Sequence, residues 1–438
     1  MKHTAVHTTE QPRRFYVKWA DAAARKLVLG VLAHLRHAEL VIVEGDQRLR
    51  LGAPDPRRPL RAVVHVHSPR FYRALLRGSV GLCESYMDSL WDCEDLVALT
   101  RIAALNVRAL DQARRMLAPV LIPCQRWLRW LARNTPRRSR RQIAAHYDLG
   151  NELFALFLDP TMMYSCAIFD SPATTLEEAS LAKLERVCAK LDLRPEDHVL
   201  EIGTGWGGFA VYVAEQYGCR VTTTTISREQ HTYATARVRE AGLEDHVTVL
   251  LADYRDRARL DPLGPYDKLV SIEMIEAVGW QFLRTFFERC SELLAPDGAM
   301  LLQAIVIDDR AFHVEKASKS FINTYIFPGG CLPSLEAISR SLARGTDLRQ
   351  VQLDDITPHY AQTLACWRAR FQAASGQLAE LGYDERFHRL WELYLCYCEG
   401  GFRERRIQGI QLLLAKPGYR SEPLAAETLL SLSASATK

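Results

Sequence analysis

From about Leu176 to Ala415 the apolar positions alternate between two periods. The runs Val199-Leu-Glu-Ile202, Arg220-Val-Thr-Thr-Thr-Thr225, Val247-Thr-Val-Leu-Leu251, Tyr266-Asp-Lys-Leu-Val-Ser-Ile272 and Ala299-Met-Leu-Leu-Gln-Ala-Ile-Val306 are short, apolar and rich in branched residues, as buried strands are. Between them the apolar residues recur at helical spacing, and Ser227 stands where a helix cap belongs. Strand and helix in alternation predict a βαβ series. The fold class expected is therefore α/β, with a doubly wound, mostly parallel sheet whose ligands bind at the carboxyl ends of the strands. Leu176 to Lys190 reads as the helix before the first of these strands, Tyr360 to about Phe371 as a later helix, Phe321 to Gly330 as a helix ending at a turn, and Ile407 to Ala415 as a final strand.

Upstream the pattern is different. Leu27, Val31, Leu32 and Leu35 predict a helix from Phe15 to about His37, followed by strands at Glu39–Val43 and Arg61–His67 around a turn-rich Gly52-Ala-Pro-Asp-Pro56. Helix resumes at Arg70, and Gly81 to Leu96 reads as a packed surface loop leading into a helix. These elements predict a smaller N-terminal α+β domain over residues 1–110, then a basic linker over 111–141, a catalytic domain over 142–417 and a loose tail over 418–438. In the linker Trp127, Leu128, Trp130 and Leu131 interleave with Arg126, Arg129 and Arg133. Such a helix suits an anionic membrane surface, and equally an interdomain helix with solvated arginines.

Composition narrows the class. The chain has 438 residues, 48% of them hydrophobic and 25% charged, which is ordinary for a globular protein of two or three domains. A net charge of +4 does not mark a nucleic-acid binder. No run of about 18 apolar residues predicts a spanning helix. The 11 cysteines form no C-x-x-C pair, which fits reduced thiols in the cytoplasm better than disulfides or a zinc site. His65 and His67 share a strand face without a third ligand, so no metal is expected.

The chemistry centres on Glu201-Ile-Gly203-Thr-Gly205-Trp-Gly207-Gly208, where the first sheet strand gives way to a helix. Glycines there allow a tight turn and close approach to a ligand. Gly203, Gly205 and Gly208 also satisfy G-x-G-x-x-G, but a dinucleotide site wants an acid near the end of the second strand, where this chain has Thr222 to Thr225. Acids stand instead at Glu201, before the loop, and at Asp253 with Tyr254, after the third strand. That placement fits S-adenosylmethionine, with Glu201 near its methionine end and Asp253 and Tyr254 near its adenine.

Taken together, His146-Tyr-Asp-Leu-Gly-Asn151, Tyr164-Ser-Cys166, Glu201 to Gly207, Thr225-Ile-Ser-Arg-Glu-Gln230 and Cys398-Glu-Gly-Gly-Phe402 resemble the cyclopropane-fatty-acyl-phospholipid synthases and their mycolic-acid and fatty-acid methyltransferase relatives. The resemblance covers most of the chain, and it implies a Rossmann-like S-adenosylmethionine-dependent methyltransferase that adds a methyl or methylene group to the cis double bond of unsaturated phospholipid acyl chains. It implies cofactor contacts from Tyr164, Ser165, Glu201, Gly203, Gly205, Gly207, Thr225, Ile226, Gln230, Asp253, Tyr254 and Arg255. The partner would be unsaturated phospholipid at the inner face of the membrane and not nucleic acid, with a homodimer left open. An alkene is a poor nucleophile, so the donor must be a strong electrophile held in line. The resulting carbocation calls for aromatic faces and little water, which Phe169, Tyr325, Phe327, Tyr360 or Trp367 could supply.

Ring closure needs a base. The resemblance implies a bicarbonate ion held at positions matching Cys166, Glu276, Gln303, Ile305 and Tyr360, and it attaches an active-site role to Cys398 as well. Gln303 stands where the family pattern has histidine, and Ala277 follows Glu276 where histidine is also usual. Glutamine can donate to an anion, but it carries no charge and relays no proton. A weakened base would let the same cation end as a methylene- or methyl-branched chain. A non-catalytic lipid-binding protein that keeps the fold is a further alternative.

Overall fold

The computed structural model describes residues 10–107, 110, 149–317 and 320–420. The basic tryptophan segment, the His146-Tyr-Asp148 stretch and the end of the tail lie outside the described residues. The chain forms two compact units that interleave along the sequence. One comprises residues 1–149, 319–328 and 375–404, and the other 150–318, 329–374 and 405–438.

The second unit holds a seven-stranded sheet. Its strands are β5 (His198–Ile202), β6 (Arg220–Thr225), β7 (Val247–Leu251), β8 (Tyr266–Ile272), β9 (Leu294–Ile307), β10 (Arg349–Asp355) and β11 (Ile407–Ala415), in the order β10-β11-β9-β8-β5-β6-β7. β5 to β9 run parallel, and β11 runs antiparallel between β9 and β10. Period-two alternation sorts the side chains into two cores. Leu200, Leu269, Met300 and Leu302 meet Phe286 and Phe287 of the helix Leu283–Leu293 on one face. Val199, Val270 and Leu301 meet Phe209, Leu184 and Val187 on the other. β10 escaped the sequence reading because Arg349-Gln-Val-Gln-Leu-Asp-Asp355 is mostly exposed and polar, as suits a strand at a sheet edge.

The first unit has a four-stranded sheet of β1 (Glu39–Glu44), β2 (Gln47–Leu51), β3 (Arg61–Val66) and β4 (Trp91–Cys93), in the order β2-β1-β3-β4. The expected helix at its start runs from Glu10 to Leu32. The start of the stretch expected as a surface loop from Gly81 is instead part of a helix, Ser79–Met87, with Gly81, Cys83, Ser85, Tyr86 and Met87 buried. Small residues there serve close packing: a Cβ on Gly81 would lie 1.9 Å from the Ala74 carbonyl oxygen. The long helix Glu385–Arg403 packs into this unit, where the Cys396 carbonyl accepts from Thr100 Oγ1 at 2.8 Å and a Cβ on Gly400 would come within 2.3 Å of the same hydroxyl. His65 and His67 pair with Glu94 and Asp92 at 3.1 and 2.8 Å, and no cluster of three metal-ligating side chains occurs among the described residues.

Candidate active site

At the carboxyl end of β5 the backbone turns through Gly203, Gly205 and Gly207 with φ of 107°, 52° and 81°, conformations that side-chain-bearing residues rarely adopt. Gly205 faces open space, with nothing within 4 Å of where a Cβ would be, and the loop delivers the chain into the helix Gly208–Tyr217. Register then sets the partners. Glu201 lies opposite Thr223, whose hydroxyl is 2.6 Å from Glu201 Oε2 and 2.7 Å from Thr204 Oγ1. Burial pushes the Glu201 carboxyl up to about 8. Beyond β6, Thr225 Oγ1 donates to Gln230 Oε1 at 2.9 Å, Ser227 caps the next helix, and Ile226 stands 77% exposed at the strand end. Asp253 accepts from the Arg255 backbone and guanidinium at 2.7 to 2.9 Å, which holds its carboxyl below the usual range, and Arg255 lies over the Tyr254 ring at 5.3 Å. These groups form the ribbon of small, polar and aromatic residues expected to hold an S-adenosyl group.

A second cluster forms where β8 and β9 end. Glu273 follows β8 with φ of 51°, a left-handed conformation costing about 1 kcal/mol, and its N–H donates to the Gln303 carbonyl at 2.8 Å. Its carboxylate is bound on both oxygens. Oε1 accepts from the Cys166 N–H at 2.9 Å and Gln303 Nε2 at 2.8 Å, and Oε2 accepts from the Tyr360 hydroxyl at 2.5 Å. Gln303 is fully buried and held by its neighbours: Nε2 also reaches the Cys166 carbonyl at 3.2 Å, and Oε1 accepts from Gln411 Nε2 at 3.0 Å, the residue opposite it on β11. Glu276 Oε1 accepts from the Ile305 N–H at 2.5 Å, while its buried Oε2 has no hydrogen-bond partner among the described residues. Burial, reinforced by the Glu273 charge, pushes the Glu276 carboxyl up to about 8.

Cys166, Glu276, Gln303, Ile305 and Tyr360 therefore come together as the resemblance implies, but they do not fit a bicarbonate ion. The Cys166 N–H, Gln303 amide and Tyr360 hydroxyl already serve Glu273, the Ile305 N–H serves Glu276, and a free anion would have to share these donors with the Glu273 carboxyl group. The Cys166 thiol, fully buried, is raised well above its ordinary value by that burial.

Lys183, on the helix Leu176–Leu191, escaped the sequence reading and is fully buried with Nζ 3.2 Å from Ser165 Oγ. Burial lowers it to about 8, against the opposing pull of Glu273, Asp159 and Glu201. It thus feels the charge of both the loop carboxylate Glu201 and Glu273 of the second cluster. Its position four residues after Ala179 and four before Val187, both buried, was the available signal: a lysine on the apolar stripe of a helix. Aromatic rings border the same region. Tyr164 lies 5.2 Å from both Phe154 and Trp367, and Tyr360 lies 6.4 Å from Trp367. The Phe169 N–H donates to His359 Nδ1 at 3.2 Å. Tyr325, Phe327 and Cys398 belong to the other unit, where Tyr325 donates to Glu84 at 2.7 Å and Phe327 meets Tyr394 at 6.0 Å. Burial pushes the Cys398 thiol up to about 12.

Comparison with known proteins agrees with this architecture. Residues 134–412 match the family model described as mycolic acid cyclopropane synthetase. Tuberculostearic acid methyltransferase UfaA1 of Mycobacterium tuberculosis is 38% identical over 425 residues, covering 93% of this chain and 94% of that protein. Cyclopropane-fatty-acyl-phospholipid synthase of Escherichia coli is 38% identical over 362 residues, covering 81% and 88%. The crystal structure of mycolic acid cyclopropane synthase CmaA1 complexed with SAH and CTAB superposes with a TM-score of 0.57 at 34% identity, over 63% of this chain and 98% of that one.

Proposed function

The chain belongs to the mycolic acid cyclopropane synthetase family and is an S-adenosylmethionine-dependent methyltransferase, and from that premise we propose that it cyclopropanates the cis double bonds of unsaturated acyl chains in phospholipids. The observation that carries the reading is the buried cluster of Glu273, Gln303, Cys166 and Tyr360, in the same unit as the Glu201 glycine loop. Bound S-adenosylmethionine supplies an electrophilic methyl group on a sulfonium. Glu201, the glycine turn, Gln230 and the Asp253-Tyr254-Arg255 segment hold and orient it. The rings of Tyr164, Tyr360 and Trp367 present π faces to a cation forming on the acyl chain and keep water from capturing it.

A second product has one specific argument. The relative named tuberculostearic acid methyltransferase is as identical as the Escherichia coli synthase and matches more of the chain, which favours a methylene- or methyl-branched product from the same cation. Incubating purified protein with S-adenosylmethionine and vesicles of cis-unsaturated phospholipid, followed by mass spectrometry of the esterified chains, separates the two. Ring-bearing chains support the first reading, branched chains the second, and unmodified chains with bound cofactor refute both.

A further inference from the structure

We propose that the Glu273 carboxylate is the catalytic base of this enzyme, a built-in replacement for a dissolved bicarbonate. The inference rests on the alkene-methylating activity above and departs from what the resemblance implies for the base. Three donors converge on a single carboxylate: the Cys166 N–H, Gln303 Nε2 and the Tyr360 hydroxyl, at 2.9, 2.8 and 2.5 Å. That is the donor set of an anion-binding pocket, and a side chain of the protein fills it. The fourth donor of the set, the Ile305 N–H, is occupied by Glu276.

Gln303 suits this arrangement. A neutral amide donates to the Glu273 carboxylate through Nε2 and is kept in that orientation by Gln411 donating to its Oε1 at 3.0 Å. Gln411 is oriented in turn by Lys190, whose Nζ lies 2.6 Å from its Oε1. A carboxylate offers about four lone-pair directions, so three donors leave one on Glu273 for a proton. The left-handed backbone at residue 273 is consistent with a functional constraint on this side chain.

The step balances as follows. Methyl transfer to one alkene carbon leaves the positive charge on its neighbour and releases S-adenosylhomocysteine with the sulfur lone pair. A Glu273 oxygen takes a proton from the new methyl group, and the electron pair of that C–H bond closes the third C–C bond of the ring. Glu273, now a carboxylic acid, returns the proton to solvent between turnovers. If a hydride shift comes first and moves the charge to the methyl-bearing carbon, the same oxygen takes the methyl proton and that C–H electron pair forms the C=CH2 bond of a methylene branch.

The test joins binding to turnover. Titration of the wild-type protein and of Glu273→Gly with ¹³C-bicarbonate, read by NMR, is expected to give saturable binding to the variant alone, since glycine frees the three donors and tolerates the backbone. In buffer stripped of carbon dioxide, wild-type turnover is expected to stay within twofold of that with added bicarbonate. Glu273→Gln is expected to lose roughly 10²- to 10⁴-fold in product formation while binding S-adenosylmethionine with calorimetric affinity within threefold of wild type. Added bicarbonate should restore Glu273→Gly at least in part and leave Glu273→Gln unchanged. Saturable binding of bicarbonate to the wild type, its dependence on bicarbonate for turnover, or no binding to Glu273→Gly would overturn the proposal. Absence of any modified chain from the wild type, with and without bicarbonate, would count against the functional reading, and the NMR arm would still decide what fills the donor set.

Discussion

Glu276 carries the clearest pH signature in the site. Its carboxyl is raised from the ordinary 4.5 to about 8 by burial and by Glu273, so the folded state holds a proton that the unfolded chain has lost. The stability this confers is fully present below about pH 4.5 and is lost as pH rises toward 8. A Glu276→Gln variant keeps an acceptor for the Ile305 N–H and never ionises. Its melting temperature relative to wild type should therefore rise steadily between about pH 5 and 8 and level off above; a constant difference would show that the carboxyl is not buried as described. Cys398 makes the opposite case. With its thiol held near 12 in a unit distinct from that of Cys166, Cys398→Ser should retain wild-type turnover, and a loss beyond about tenfold with normal folding would give it a chemical role. Glu201 and Gly205 stood out in the sequence through the glycine motif, and Gln303 and Tyr360 through the resemblance, and the structure sets the latter two against Glu273. Glu273 carried no such signal, because a glutamate two residues short of a helix looks like an ordinary surface charge until burial is known, whereas Lys183 had only its place on the apolar stripe of its helix.

Helix and strand periods revealed the elements of the parallel sheet, since Val199, Leu269 and Leu301 repeat the pattern of strands covered on both faces. β10 and the helix at residues 79–87 stayed hidden for opposite reasons: one is too polar to look like a strand, the other too rich in small residues to look like a helix. The glycine loop itself divides into two kinds of position. At Gly208 a Cβ would meet the Thr161 carbonyl oxygen at 2.4 Å and Met163 Sδ at 3.0 Å, so the helix Gly208–Tyr217 sits against that segment only because glycine is there. Gly208→Ala should cost about 1–3 kcal/mol in urea unfolding. Gly205→Ala meets no atom but keeps a φ of 52°, so it should cost about 1 kcal/mol and appear mainly as weaker S-adenosylmethionine binding by calorimetry. Equal stability losses at the two positions would contradict this division.

The proposed function requires the molecule as a whole to reach lipid. Among the described residues no helix is long and apolar enough to cross a membrane. The segment carrying Trp127, Arg129, Trp130 and Arg133 predicts peripheral attachment through arginines on anionic headgroups. The protein should float with anionic liposomes, remain in solution with neutral ones and be released as salt approaches 1 M, where the screening length falls to about 3 Å. Flotation insensitive to both lipid charge and salt would assign the attachment to something other than these arginines. The sequence divides at 110, 141 and 417 in our reading, whereas the compact units interleave, with residues 375–404 grouped with the N-terminal part; Leu390, Trp391 and Leu395 of that stretch are buried.

That interleaving governs how the protein is made. A ribosome delivers the N-terminal helices and sheet early, yet the helix Glu385–Arg403 that completes their core emerges only after nearly all of the catalytic sheet. The catalytic sheet also waits, since β11, at Ile407–Ala415, must insert between β9 and β10. Both units thus have closing pieces that emerge after most of their partners, and their contacts span long sequence separations, which slow folding. A nascent chain stalled before residue 385 would expose apolar surface from both at once, making it a natural client for chaperones.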